Sequence, residues 1–189
     1  MFFFKNAKEY IRAGNDDPTV PPWDREMEQG WQSNWRNYWN HLDEIADRLG
    51  PKAYDFFRFC NNDEGLHDGY LLSLNFGDCI ALDEAKYSRL CFTSSPSSVA
   101  LTILNYEKTT VYSFLFKAPR RVAVNVPGDD RDYFEEGKTL GQIMMYEIRA
   151  ISPKYLAVEW LLDSEGTILI EFEKLGFRSK SLRSPQRKR

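Results

Sequence analysis

Three consecutive segments near the carboxyl end of the chain alternate between apolar and polar residues, and this pattern constrains the fold most. Segments 143–151, 155–162 and 167–173 each place large apolar side chains at every second position. Those side chains are Met144, Tyr146, Ile148 and Ala150, then Leu156, Val158, Trp160 and Leu162, then Ile168, Ile170 and Phe172. Successive side chains of a strand point to opposite faces of a sheet. The alternation therefore predicts a half-solvated antiparallel meander with one buried face.

The loops between these segments predict the pairing of the strands. Ser152-Pro153-Lys154 and Ser164-Glu165-Gly166 are typical three-residue hairpin connections. With such loops, Glu147 would face Glu159, and Glu159 would face Glu171. Three carboxylates would then lie in a row on the solvent face.

Directly opposed like charges destabilise a sheet, so this row needs an offset. Arg149 on the diagonal, an arginine from the N-terminal helices, a metal ion or a basic partner would each supply one. We expect either an exposed face that Arg149 screens or a surface that binds a cation or a partner. The partner-binding candidates are Glu147, Glu159, Glu171 and Arg149.

Shorter alternating runs predict the rest of the sheet. We place these strands at 68–76, 79–83, 89–93, 98–106, 110–117 and 120–126. Residues 127–142 are mostly polar and begin Pro-Gly-Asp-Asp, so they are expected to form a connection.

A helical segment precedes the sheet. Its apolar residues recur at steps of three and four, which is the period of one helix face. They are Trp31, Trp35, Tyr38, Trp39, Leu42, Ile45 and Leu49. Gly50-Pro51 should end this helix, and a second short helix is expected at about 52–60. The stripe is either a partner-binding face or core, and the sheet's need for a cover favours core.

The predicted fold is α+β, with the helical segment packed on a mostly antiparallel, curved sheet. We assign residues 1–176 to a single domain, with 1–64 mainly helical and 65–176 forming the sheet, and 177–189 to a basic flexible tail. The tail holds six of the 25 basic residues, so 19 basic and 28 acidic residues leave 1–176 at −9. An acidic body makes nucleic acid an unexpected partner and suits a basic protein.

Common catalytic and cofactor-binding motifs are missing from the sequence. It has no Gly-x-Gly-x-x-Gly, Gly-x-x-x-x-Gly-Lys, Gly-x-Ser-x-Gly, Cys-x-x-Cys or His-Glu-x-x-His. The spacing of Cys60, Cys79 and Cys91 fits neither a disulfide framework nor a zinc module. No apolar run approaches the roughly 20 residues of a membrane span. We therefore expect no cofactor, no metal, no membrane contact and a location in the reducing cytoplasm.

The two histidines are the candidates for general acid–base chemistry. His41 lies off the apolar stripe and is expected to be solvated. His67 precedes Asp68 at the entry to the first strand, where adjacent side chains would point to opposite faces. That geometry favours a structural role at the strand start, such as bonding backbone amides. His67 and Asp68 remain the catalytic candidates.

Several of these features together resemble an uncharacterised bacterial family, the domain of unknown function numbered four-zero-eight-five. They are the opening Met-Phe-Phe-Phe-Lys with Tyr10, the tryptophan-rich helix, Leu66-His67-Asp68-Gly69, Met145-Tyr146-Glu147-Ile148 and Ile168-Leu169-Ile170-Glu171-Phe172. The Leu-His-Asp strand entry is also similar to small sheet domains of bacterial toxin-immunity proteins. The resemblance implies a bacterial cytoplasmic protein and supplies no activity, cofactor or catalytic residue.

The sequence favours a non-catalytic protein-binding module, with an immunity-like role as a specific version. The alternative is a hydrolase or metal-dependent enzyme that uses His67, Asp68 and nearby carboxylates. An enzyme would need a pocket in which His67 meets a carboxylate.

Overall fold

The computed structural model describes residues 25–59, 66–77, 96–125, 142–163 and 166–182, without the side chains of 25–29 and 31. Its helices are α1 (Arg25–Glu44), α2 (Ala46–Leu49) and α3 (Pro51–Phe59). Its strands are β1 (Gly69–Gly77), β2 (Ser98–Leu104), β3 (Thr110–Lys117), β4 (Arg121–Asn125), β5 (Gln142–Ala150), β6 (Leu156–Leu162), β7 (Thr167–Phe172) and β8 (Lys174–Ser181). These elements confirm the predicted α+β class. None of the described helices is long and apolar enough to cross a membrane.

The helical segment breaks where the sequence predicts. Gly50 adopts φ 74° between α2 and α3, a left-handed conformation that glycine reaches without strain. Pro51 then occupies the first turn of α3, where its missing N–H costs nothing. The described part of the aromatic stripe is core, as expected, because Tyr38 and Leu42 are fully buried and Trp35 and Trp39 pack against the same cluster.

The eight strands form one antiparallel sheet in the order β4-β7-β6-β5-β1-β2-β3-β8. β1 and β5 share only two residue pairs at the middle of this order. At one end of this order β3 pairs with β8, and at the other end β4 pairs with β7. Along the chain, β3 is followed by β4 and β7 by β8, so two short connections link the two ends of the sheet. Ala118, with φ 48°, bends the first of these connections. The sheet therefore curves back on itself, and its two halves face each other across the core.

Aromatic side chains fill the space between the two halves. The Phe114 ring of β3 lies 5.3 Å from the Trp160 ring of β6, and Phe116 lies 4.9 Å from Phe172 of β7. Phe56 of α3 enters the same cluster and lies 4.9 Å from Phe177 of β8. The helical segment thus packs on the concave side of the curved sheet.

The predicted tail boundary is wrong. Residues 177–181 belong to β8, which pairs with β3 along its whole length. The interior of β8 holds Gly176 and Ser179 among basic residues, so its pattern is too polar to predict a strand without its neighbour. Several predictions concern segments outside the described residues. These segments are residues 183–189, the predicted strands 79–83 and 89–93, the three cysteines and most of the connection 127–142.

Candidate functional site

The predicted register of the first hairpin is confirmed from Met145 to Ala150 and shifts between Ile143 and Met145. The predicted register of the second hairpin is wrong. Glu147 pairs with Glu159 as expected, but Glu159 pairs with Leu169, and Glu171 pairs with Ala157. The second loop turns one residue earlier, and Leu162 N donates to Gly166 O. Asp163, the residue after β6, exchanges hydrogen bonds with Gln142 at the start of β5. A slide by two positions leaves every side chain on its predicted face. It removes Glu171 from the row of carboxylates.

The face that carries these glutamates is buried, which corrects the prediction of a solvent face. Glu147 is 0% exposed, as are Ala157 and Leu161 on the same side of the sheet, and the Glu159 side chain is 12% exposed. The strand sequence Leu-Ala-Val-Glu-Trp-Leu-Leu of β6 is nearly continuous in apolar residues, which is typical of strands covered on both faces. These residues therefore offer no exposed acidic surface to a partner.

Arginines lie beside two of the three carboxylates, Glu159 and Glu171. Arg149 Nη2 lies 3.7 Å from Glu159 Oε2, on the predicted diagonal. Arg120 Nε donates to Glu171 Oε2 at 3.0 Å, and Arg121 Nη1 lies 3.7 Å from Glu171 Oε1. No group of three or more His, Cys, Asp or Glu side chains suited to a metal occurs among the residues that the structure describes.

His67 and Asp68 do approach each other, contrary to the strand argument. His67 Nδ1 lies 3.1 Å from Asp68 Oδ2, because both residues belong to a turn that ends at Gly69. Asp68 adopts φ 60°, a conformation that aspartate tolerates better than most residues. The two side chains are 61% and 41% exposed. The pair therefore faces water on the surface of the turn.

Backbone hydrogen bonds hold this turn. Asp68 N donates to Ile143 O at 2.7 Å, and Gly69 N donates to Leu66 O at 2.8 Å. A Cβ at position 69 would lie 2.9 Å from Leu66 O, so glycine is required by close approach. These contacts give Leu66-His67-Asp68-Gly69 a structural role at the start of β1.

Two side chains of α1 cap the part of β5 that β1 leaves unpaired. Ile148 N donates to the Tyr38 hydroxyl at 3.0 Å, and Ala150 N donates to His41 Nε2 at 3.2 Å. Tyr38 and His41 are three residues apart and therefore share a helix face. Ile148 and Ala150 are two apart, so their N–H groups point to the same side of β5. The two side chains can therefore reach the two N–H groups together. Burial raises the pKa of Tyr38 far above its ordinary value, which keeps the phenol neutral. The predicted solvation of His41 is thus wrong.

Stability should fall in acid because of His41. Burial lowers its pKa, against the opposing effect of Glu44, and only a neutral ring can accept the Ala150 N–H at Nε2. The unfolded chain, with an ordinary histidine pKa of about 6.5, then binds a proton that the folded chain resists. Stability is therefore full above that value and is lost as pH falls below it.

Urea unfolding at about pH 7.5 and about pH 5 checks this expectation. His41→Gln, whose amide oxygen can accept the same bond without titrating, should lose less stability between the two pH values than the wild type. Equal losses in both proteins would contradict a titrating His41. His67 is present in both proteins and cancels in the comparison.

The strands of the other half of the sheet carry only basic charges. None of the residues of β1, β2, β3 or β8 is Asp or Glu. Lys117, Lys174, Arg178 and Lys180 are exposed and lie on the side of the sheet away from the aromatic core. We call these four residues the basic face.

Within the basic face, Lys117 lies directly opposite Lys174, an arrangement that repels. The neighbouring acid Glu173 is bonded to Lys154, whose Nζ lies 2.7 Å from Glu173 Oε1, and this bond lowers the Glu173 pKa. The sequence carried a signal for this surface, because four strands without a single acid stand out in a chain with 28 acidic residues. Assigning residues 177–189 to a tail concealed it.

Comparison with solved structures gives a remote similarity. No family model and no curated protein matches the chain. Among solved structures, it is similar to an uncharacterized protein from Neisseria gonorrhoeae at 14% identity, over 59% of this chain and 91% of that chain, with a TM-score of 0.42. A similarity at this level carries no argument about function.

Proposed function

We propose that this protein is a non-catalytic protein-binding module whose basic face binds an acidic segment of a partner protein. One observation carries the proposal: Lys117 and Lys174 face each other on a surface of four acid-free strands. Carboxylates from a partner would relieve that repulsion and would be steered to the surface by its charge.

The expected partner is acidic, whereas the composition of the chain favours a basic partner. The net charge of −3 counts every acidic residue of the chain. Glu147, Glu159 and Glu171 are among them, but they are buried or nearly so and contribute little acidic surface. A protein partner is favoured over nucleic acid because the basic face has only four cations and the sequence pI is about 5.5, whereas nucleic-acid-binding domains are usually strongly basic.

A toxin-immunity role is a specific version of this proposal, and it is supported by the resemblance of the Leu-His-Asp strand entry. In that version the acidic segment belongs to a toxin. The rival enzyme is supported by the 3.1 Å contact of His67 Nδ1 with Asp68 Oδ2. His67→Gln separates the two, because a binding module keeps its affinity in this variant and an enzyme loses its turnover.

Charge reversal on the basic face should weaken binding of an acidic probe. The probe is a fluorescein-labelled peptide of alternating Glu and Thr, and binding is followed by fluorescence anisotropy. R178E/K180E should weaken binding about tenfold or more, since each replacement turns an attraction into a repulsion. Added salt should weaken the wild-type complex in the same direction.

The matched control is R36E/K52E, which makes the same charge change at exposed positions on α1 and α3. It should bind as the wild type does. Equal weakening in both double variants would show a net-charge effect without a site, and unchanged binding in R178E/K180E would refute the basic face. Preference for a labelled DNA duplex over the peptide would overturn the choice of a protein partner.

A further inference from the structure

We propose that β8 takes up an extended acidic segment of the partner as an additional strand along its open edge, from Arg178 to Ser181. This inference rests on the proposed function and adds how the partner is held. Main-chain hydrogen bonds would supply part of the affinity, and alternate acidic side chains would meet the basic face.

The pairing of β8 with β3 shows which backbone groups face the open edge. Leu182 N donates to Thr109 O, and the register continues through Lys180 opposite Val111 and Arg178 opposite Ser113. Hydrogen-bonded and non-bonded pairs alternate in an antiparallel ladder. Lys180 and Arg178 therefore direct their N–H and C=O groups to β3, and Ser179 and Ser181 direct theirs outward.

The exposure of β8 divides it into two parts. Leu175 and Phe177 are partly buried against the core, where α3 contributes Phe56. Every residue from 178 to 182 is exposed. Among the residues that the structure describes, this second part pairs with β3 alone, and no described strand pairs with the other side of its backbone ladder.

The positive charges of β8 favour an acidic strand as the partner of this edge. A second copy of the chain pairing through β8 would bring Arg178 and Lys180 close to their own counterparts, and like charges on an edge strand oppose such pairing. An incoming strand with Glu or Asp at every second residue would place all its carboxylates on one face. Beside β8, that face adjoins Lys174, Arg178 and Lys180. The structure therefore favours an acidic strand from another protein over self-association.

Ser179→Pro tests the added strand without changing any charge. Proline removes the outward N–H of residue 179 and blocks a neighbouring strand, and it is tolerated on an edge where the N–H faces solvent. Binding of the alternating Glu-Thr peptide should weaken about tenfold or more in Ser179→Pro and stay unchanged in Ser179→Thr, which keeps the N–H. Thermal unfolding of both variants checks that β8 remains folded.

The peptide offers a second test that leaves the protein intact. The same sequence with every backbone nitrogen methylated keeps its carboxylates and loses its donors, so its binding should weaken about tenfold or more. Full binding of the methylated peptide, or of the unmodified peptide to folded Ser179→Pro, would overturn strand addition. If R178E/K180E still weakened binding in that case, the proposed function of the basic face would be retained and only the proposal of an added strand would be rejected. A wild-type protein that dimerises through β8, with Ser179→Pro monomeric, would also overturn the proposal.

Discussion

Replacing Phe114 with alanine is expected to lower the free energy of unfolding by about 3–5 kcal/mol, as for other large core aromatics. Phe114 is 1% exposed, and its ring lies 5.2 Å from Phe56 of α3 and 5.3 Å from Trp160 of β6. It therefore joins the helical segment and both halves of the sheet. A cavity at this point would remove contacts from all three, and partial collapse can recover only some of them.

Leu115→Ala is the matched control for this prediction. Leu115 is the next residue of β3, points to the opposite face and is 37% exposed, so its truncation should cost about 0.5 kcal/mol or less. Urea unfolding of both variants measures the difference. Similar small losses in both would contradict a curved sheet whose halves meet at Phe114.

The second large effect concerns Arg149. Its guanidinium lies 3.7 Å from Glu159, which is opposed across the ladder by the fully buried Glu147. Arg149→Met keeps the apolar stem and removes the charge, so two largely buried carboxylates would face each other without that cation. We expect a loss of about 3 kcal/mol, because breaking a buried ion pair on one side is costly.

Glu159→Gln added to Arg149→Met should restore part of this loss, because it removes one of the two opposed charges. The double-mutant cycle measures the coupling between the two positions. An additive double variant, or an Arg149→Met protein as stable as the wild type, would contradict a stabilising role for Arg149. Unfolding should be followed near neutral pH, where free carboxylates are ionised.

Local patterns predicted most of the described elements. Period-2 alternation located β5, β6 and β7 because most of the apolar side chains at every second position are buried. In β5 the alternation is interrupted by a register shift between Ile143 and Met145, and Ile143 is buried where the pattern predicted Met144. The Ser152-Pro153-Lys154 loop fixed the first hairpin because its geometry is local. The helix break at Gly50 followed from the conformations open to glycine and proline.

The failures arose where distant parts of the chain decide the outcome. In the second hairpin, the predicted loop begins next to Asp163, which bonds to Gln142 at a distance of 21 residues. β8 was not predicted because its second half is polar and forms a strand through pairing with β3, which is distant in the sequence. The role of His41 depends on the N–H of Ala150, which β1 leaves without a strand partner and which no pattern within α1 reveals. The burial of Glu147 likewise depends on what packs on the second face of β5.

The location of the binding surface is tested most directly by a titration of the isotope-labelled protein with the Glu-Thr peptide, followed through backbone amide chemical shifts. The basic face predicts that the shifts of Lys117, Lys174, Arg178 and Lys180 move with a common saturation curve, together with those of Ser179 and Ser181. The amides of Glu147 and Glu159 should stay in place. Shifts confined to the Glu147 and Glu159 region, or to the turn of His67 and Asp68, would contradict the account.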